Sequence, residues 1–294
     1  MNYNRLDYSE NIEEVVALIR RNLNPEYSES ILRWKHLESP FGKSVGLVAL
    51  DEGKIVGVVF AALYKFQNST GENISAIRFF DACTNPDQRG KGIFKTLMKM
   101  GFEICKNEID FSFSNPNKAS LKGHIRVGYE EPEKKTFYRL GFLKPIRGKI
   151  EGDFKPFRPE VLNEKSLTKQ DFYLAGNNLS FLNWRYREKR YKIWVHQEHG
   201  EKNYIVYRIE KKKGIRTIVL CDFFGDLRKI QKVLNMVCRR EKTFLIYYLE
   251  NQVNAELKFL FTKKYKKAVV VFKNEHQVLP DNLIISLGDL EGRL

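Results

Sequence analysis

The chain has 294 residues, 43% of them hydrophobic, and a formal charge of +15, which leaves room for two domains with real cores and excludes a disordered polyelectrolyte. The N-terminus runs straight into charged sequence without the apolar stretch of a signal peptide, and no run approaches the roughly 20 apolar residues of a membrane span; a cytoplasmic location is expected. Cys83, Cys105, Cys221 and Cys238 are scattered and form no C-x-x-C pair, so reduced thiols are expected rather than a disulfide framework or a metal site.

In chain order, Asn11 can cap a first helix, with Glu14 at the capping-box position and Ile12, Val15, Val16, Ile19 and Leu23 on one face. Asn24-Pro25 ends it, and a short second helix covers Ser30 to His36. Runs at 45–50 and 54–63, joined by Asp51-Glu52-Gly53, predict a hairpin, and a third strand spans 75–84. A loop at 85–91 leads into a helix with Ile93, Phe94, Leu97, Gly101 and Cys105 on one side. A strand at 109–114, a helix at about 119–127 and a last strand within 134–142 follow. An antiparallel run that turns into a β-α-β unit predicts a mixed α/β fold, a mostly antiparallel twisted sheet with helices on both faces.

Residues 146–165, rich in Pro, Gly and charge, read as a linker between a first domain at 1–145 and a second at 166–294. Beyond it the order restarts. Ser180-Phe181-Leu182-Asn183-Trp184-Arg185-Tyr186 echoes Ser30-Ile31-Leu32-Arg33-Trp34-Lys35-His36, and Asp222 falls near the place that Asp81 holds in the first half. Strands are expected at 193–196, 204–209, 217–224, 243–249 and 268–272, with helices carrying Leu227, Ile230, Val233, Leu234 and Val237 and at about 255–261. The pattern predicts a tandem duplication of one fold.

The stretch Asp81-Ala82-Cys83-Thr84-Asn85-Pro86-Asp87-Gln88-Arg89-Gly90-Lys91-Gly92-Ile93-Phe94 carries the chemistry. A strand, a loop with two glycines and a helix start let backbone N–H groups converge on an anion, and the helix adds about half a positive charge there. A pyrophosphate suits this geometry. A dinucleotide fingerprint would need a third glycine where Lys95 stands, and Gly42-Lys43-Ser44 lacks the first glycine of a Walker A loop because Leu37 occupies its position.

Arg89-Gly90-Lys91-Gly92 resembles the R-x-x-G-x-[G/A] acyl-CoA loop of the GNAT (GCN5-related N-acetyltransferase) superfamily, with Phe94 standing where that family ends the motif on a small residue. Phe111-Ser112-Phe113-Ser114-Asn115-Pro116-Asn117 and the helix that ends at Gly128-Tyr129 are similar to the segments that follow it. Trp34 through Gly42 resembles a subgroup with a second GNAT-like domain; the second half here lacks the loop, having Phe224-Gly225-Asp226-Leu227-Arg228 in its place. The resemblance implies a GNAT fold, and an acyltransferase that uses acetyl-CoA or another acyl-CoA as co-substrate, with no metal.

It further implies a small-molecule or peptide amine as acceptor, and a second domain that has lost cofactor binding. The cofactor would be held by Cys83, Thr84, Arg89, Gly90, Lys91, Gly92, Ile93, Phe94 and Asn117. Asp81 is the candidate base, and His124, at the place of a frequent Tyr, the candidate acid; Tyr129 and Tyr138 are alternatives. Two other classes stay open: a non-catalytic binder of nucleic acid or an anionic surface, marked by aromatic and basic residues interleaved on an exposed sheet, and an aminoacyl-tRNA-dependent transferase. The intact Arg89–Gly92 loop argues against the second, and the charge is the main support for the first; nucleic acid is not the expected partner, while a dimer stays open.

Overall fold

The computed structural model describes residues 1–148, 151–157, 167, 171–176, 178–274 and 279–290. The chain divides into two compact units. The first comprises Met1–Lys65, Ile74–Pro132 and Val269–Leu279, and the second Phe66–Asn73, Glu133–Ala268 and Pro280–Leu294.

The chain runs in order β1 (Asn2–Arg5), α1 (Ile12–Asn22), α2 (Glu29–His36), β2 (Val45–Asp51), β3 (Lys54–Gln67), β4 (Asn73–Thr84), α3 (Ile93–Cys105), β5 (Phe111–Ser114) and α4 (Lys118–Ile125). It continues through β6 (Thr136–Leu143), β7 (Asp153–Pro156), β8 (Tyr173–Ala175), α5 (Leu179–Arg185), β9 (Lys192–Glu198), β10 (Glu201–Lys212) and β11 (Ile215–Phe224). It closes with α6 (Ile230–Glu241), β12 (Leu245–Leu249), α7 (Gln252–Ala255), β13 (Phe259–Ala268), β14 (Val271–Asn274), β15 (Leu283–Ile284) and α8 (Leu287–Leu290).

The first sheet runs β1-β2-β3-β4-β5-β14, with β8 pairing β3 and β15 beside it; β1–β2, β2–β3, β5–β14 and β3–β8 are antiparallel, whereas β4–β5 and β8–β15 are parallel. Period-two alternation splits its side chains between two cores. Leu47, Ala49, Val59, Ile77 and Phe79 pack against Ile93, Leu97, Met98 and Phe102 of α3. Val48, Val58 and Phe60, on the opposite face, pack against Val15 and Ile19 of α1 and Leu32 of α2. Ser28 caps α2 by accepting from the Ile31 N–H, whereas Asn11 makes no such bond to α1, and Glu14 instead accepts from the Ile55 N–H at 2.7 Å.

Gly57 sets the height of α3 above the sheet. A Cβ there would lie 2.6 Å from Ile93 Cγ2, at the first residue of the helix. Gly57→Val is therefore expected to lift the start of α3 and to cost about 1–3 kcal/mol of stability. Thermal melting with and without acetyl-CoA checks this, and an unchanged midpoint would contradict the packing.

The second sheet has the order β13-β6-β12-β11-β10-β9-β7, with α6 on one face. Here the chain departs from the expected boundaries. β6 was expected in the first domain, yet it pairs with β12 and β13, while β14, from the C-terminal half, pairs with β5. The C-terminal half thus gives β14, β8 and β15 to the first sheet while β6 joins the second, and 1–145 is not a unit. The expected linker carries β7, and its residues 149–150 and 158–165 lie outside the described residues. The helix expected at 255–261 ends at Ala255, and the strand expected at 268–272 is two strands, β13 and β14, joined where the chain passes from one sheet to the other.

Both halves repeat one side-chain arrangement, which supports duplication. On the fourth strand of the first sheet Asp81 meets Lys35 and His36 at the end of α2. On β11 Asp222 meets Tyr186, just past α5, with the Arg185 charge beside it. The two pairs are equivalent in the sequence echo.

Candidate active site

β4 and β5 pair only at Ala76–Arg78 with Phe111–Phe113. Beyond Arg78, β4 runs on to Thr84, while β5 ends at Ser114 and the chain turns away through Asn115-Pro116. The strands therefore splay, and Arg78 Nη2 donates to Asn115 Oδ1 at 2.5 Å where they part. The backbone of β4 past Arg78 is released from β5, so its N–H groups can meet a bound thioester.

The loop after β4 is built as an open anion cradle. Asn85 caps a single turn at Pro86–Gln88 by accepting from the Asp87 N–H. Gly90 (φ +83°) and Gly92 (φ +78°) then take left-handed backbone, and a Cβ on either would meet nothing within 4 Å. Gly92 is the N-cap of α3 and brings no side chain to the cap. The first N–H groups of a 13-residue helix thus face open space with the positive end of its dipole behind them. Arg89 and Lys91 are exposed beside it, Arg89 Nε donating to the Thr84 carbonyl at 3.4 Å and Lys91 Nζ to Gln88 Oε1 at 2.6 Å.

The remaining expected cofactor residues lie around this loop. Ile93 is buried under Gly57, and Phe94 packs on Gly123 and His124. Phe94, the departure from the motif, is accommodated because a Cβ at residue 123 would come within 2.8 Å of its ring; a glycine there makes the room. Cys83 points its thiol at the Leu18 carbonyl in α1, leaving only its backbone for a ligand. Asn117 is exposed and caps α4, accepting from the Ser120 N–H at 2.9 Å.

Asp81 does not have the surroundings of a base. Its φ of +47° breaks the regular strand, and the carboxylate is enclosed by donors. Tyr27 Oη donates to it at 2.7 Å, Lys35 Nζ at 2.8 and 3.0 Å, and His36 Nε2 at 3.1 Å. Burial alone would raise its pKa, but the Lys35 ammonium and the His36 hydrogen bond outweigh it and hold the carboxyl well below the usual range. Because an ionised carboxylate can only accept, His36 Nε2 carries the proton, and Nδ1 accepts from the Ser44 hydroxyl at 3.0 Å. None of Tyr27, Lys35, His36 or Ser44 is a site residue in the sequence reading. The signal that could have found them is the echo of Lys35-His36 in Arg185-Tyr186, read together with that of Asp81 in Asp222.

His124 is buried between Phe94 and Tyr129, with ring centroids 5.4 and 5.1 Å away. Its Nδ1 lies 2.9 Å from the Ser120 carbonyl, which can only accept, so the proton sits on Nδ1 and Nε2 presents a lone pair. Burial lowers its pKa below the ordinary 6.5. A group depressed in this way adds stability that is present above the unfolded pKa and is lost as pH falls through the folded one. A side-chain NMR titration is expected to place the His124 midpoint below the ordinary 6.5; a midpoint above about 7 would contradict this burial. Tyr129 is fully buried against the Ser112 hydroxyl, and Tyr138 belongs to the second unit. The cysteines are buried, and burial pushes the Cys83 and Cys105 thiols up to about 11, far from a neutral-pH thiolate.

This splayed sheet and glycine cradle define a class, an α/β acyltransferase fold. Residues 4–131 match the acetyltransferase (GNAT) domain family. Over these residues, less than half of the chain, it is similar to that family. No curated protein matches the chain by sequence. Among solved structures it is similar to a GCN5-related N-acetyltransferase from Anabaena variabilis ATCC 29413, with a TM-score of 0.69 and 12% identity over 94% of this chain and 73% of that one. A GCN5-related N-acetyltransferase from Kribbella flavida gives 0.61 and 10% over 92% and 70%. A Saccharomyces cerevisiae N-myristoyltransferase with bound myristoyl-CoA gives 0.57 and 11% over 95% and 83%. These identities speak for the fold alone. Among the described residues no helix is long and apolar enough to cross a membrane, and no group of three or more His, Cys, Asp or Glu could hold a metal.

Proposed function

We propose that the protein is an N-acyltransferase that moves an acyl group, acetyl in the simplest case, from CoA to a primary amine of a small molecule or peptide by direct attack. The observation that carries this reading is the unfilled glycine cradle at the N-terminus of α3, set beside the splay of β4 and β5. The α3 amides with Arg89 and Lys91 hold the pyrophosphate, Asn117 contacts the pantetheine side, and the backbone of β4 from Cys83 to Thr84 lines the arm.

In the reaction the amine nitrogen attacks the thioester carbonyl, β4 N–H groups take up the oxyanion charge, and the C–S bond breaks. The proton lost by the nitrogen passes through water to the departing thiolate, so protons balance without a side-chain acid or base. Asp81 enters as the anchor that holds Tyr27, Lys35 and His36 beside the end of β4, and His124 as the ring that supports Phe94. The test is thiol release from acetyl-CoA against a panel of primary amines, with the product identified by mass spectrometry. Amine-dependent release with an N-acetylated product is expected; release that ignores the amine, or an acyl group left on the protein, would contradict direct transfer.

A further inference from the structure

β13 is an edge strand of the second sheet among the described residues, and its burial runs opposite to that of a core strand. Nearly every residue is exposed. Lys263, Lys264, Lys266 and Lys267 flank Tyr265 and follow Leu260 and Phe261, and Leu260, Phe261 and Tyr265 are 60%, 58% and 39% exposed. Lysines on an edge commonly guard it against strand pairing, which would account for the charge but not for three exposed apolar groups beside it.

The register shows what lies next to them. Lys266 pairs with Tyr138 and Phe261 with Phe142, while Lys264 lies over the Phe137 ring at 4.1 Å and Lys266 over the Tyr138 ring at 4.8 Å. Tyr138 stacks on Tyr247, which Tyr265 meets edge-on and Lys212 covers at 4.6 Å. At the start of the strand the basic track continues into a groove of about 450 Å³ lined by Lys144, Arg228, Lys232 and Lys258, with Glu256 as its acid.

We propose that this edge and the aromatic face beside it bind single-stranded nucleic acid, the lysines meeting phosphates and Phe261 and Tyr265 stacking on bases. Charge complementarity selects the occupant. A second copy of the chain would set four lysines against four. A flat anionic membrane would reach only half of them, because Lys263 and Lys266 share one face of the sheet while Lys264 and Lys267 share the other. A flexible polyanion can wrap the edge and meet both. This surface lies in the second unit, and the proposal does not depend on acyl transfer.

The test is fluorescence anisotropy with a labelled single-stranded RNA of about 16 nucleotides, the upper end of a single-fold site, as a function of salt. Replacing the four lysines by alanine is expected to weaken binding at least about tenfold and to reduce the salt slope by about 3, roughly 0.7 per phosphate contact. Phe261→Ala with Tyr265→Ala is expected to weaken it about tenfold with the slope unchanged, since stacking releases no counterions. All of these side chains project from an exposed strand, and far-UV circular dichroism with acetyl-CoA titration checks that each variant stays folded. No binding at about 0.15 M salt, tighter binding of duplex than single strand, capture by phosphatidylserine vesicles but not RNA, or variants that bind like wild type would each overturn the proposal.

Discussion

Gly92→Glu is expected to weaken acetyl-CoA binding by about a hundredfold, equivalent to about 3 kcal/mol of like-charge repulsion. The position is open: a Cβ at residue 92 would meet no atom within 4 Å beyond its chain neighbours. The glutamate carboxylate would stand where the helix amides and Arg89 and Lys91 converge, in the place of the pyrophosphate. The left-handed φ of +78° adds strain of about 1–2 kcal/mol for any L side chain, and Gly92→Ala measures that strain alone. The alanine variant is expected to bind within about tenfold of wild type. Equal losses from alanine and glutamate would mean that backbone distortion, not charge, governs the site, and would undermine the cradle.

Asp81→Ala is expected to destabilise the first unit by about 3–5 kcal/mol, because it leaves the Lys35 ammonium buried without its carboxylate and strips acceptors from Tyr27 and His36. The melting midpoint should fall by on the order of 10 °C. Lys35→Met in the same background should recover about 1–2 kcal/mol, since the double variant buries neither charge. The pH dependence has a definite sign. A carboxyl whose folded pKa is depressed contributes stability that is present above its unfolded value of about 3.9 and is lost as pH falls through the folded one. Acid unfolding of wild type should therefore lose a component between about pH 4 and the folded value that is absent from Asp81→Ala. A loss under about 1 kcal/mol, with no change in the acid limb, would mean that the carboxylate is solvated and free to act as a base.

The sequence reached some parts of this structure and missed others for identifiable reasons. The cradle was legible because its determinants are local: two glycines that must take positive φ, followed by a helical stripe from Ile93 to Cys105. The hairpin of β2 and β3 followed from a turn and strong alternation. The strand exchange was not legible, because β6 has the same β-forming composition whichever sheet accepts it; the choice rests on long-range pairing with β12 and β13. β13 was hidden by its lysines, which carry little strand signal, and β1 by its short polar sequence. Asp81 was found, yet its partners were not. Its partners sit 45 residues and more upstream on α2 and in the loop before it, and only the fold brings a Tyr, a Lys and a His onto one carboxylate.

The central claim is that an acyl-CoA sits with its pyrophosphate on the start of α3 and its thioester arm along the end of β4. Backbone hydrogen exchange in the presence and absence of saturating acetyl-CoA tests this most directly. Slowed exchange at Arg89 to Lys95 and at Phe79 to Thr84, with the second unit unchanged, is the predicted result. Exchange left unaltered in both segments, or protection confined to the second unit, would contradict the account.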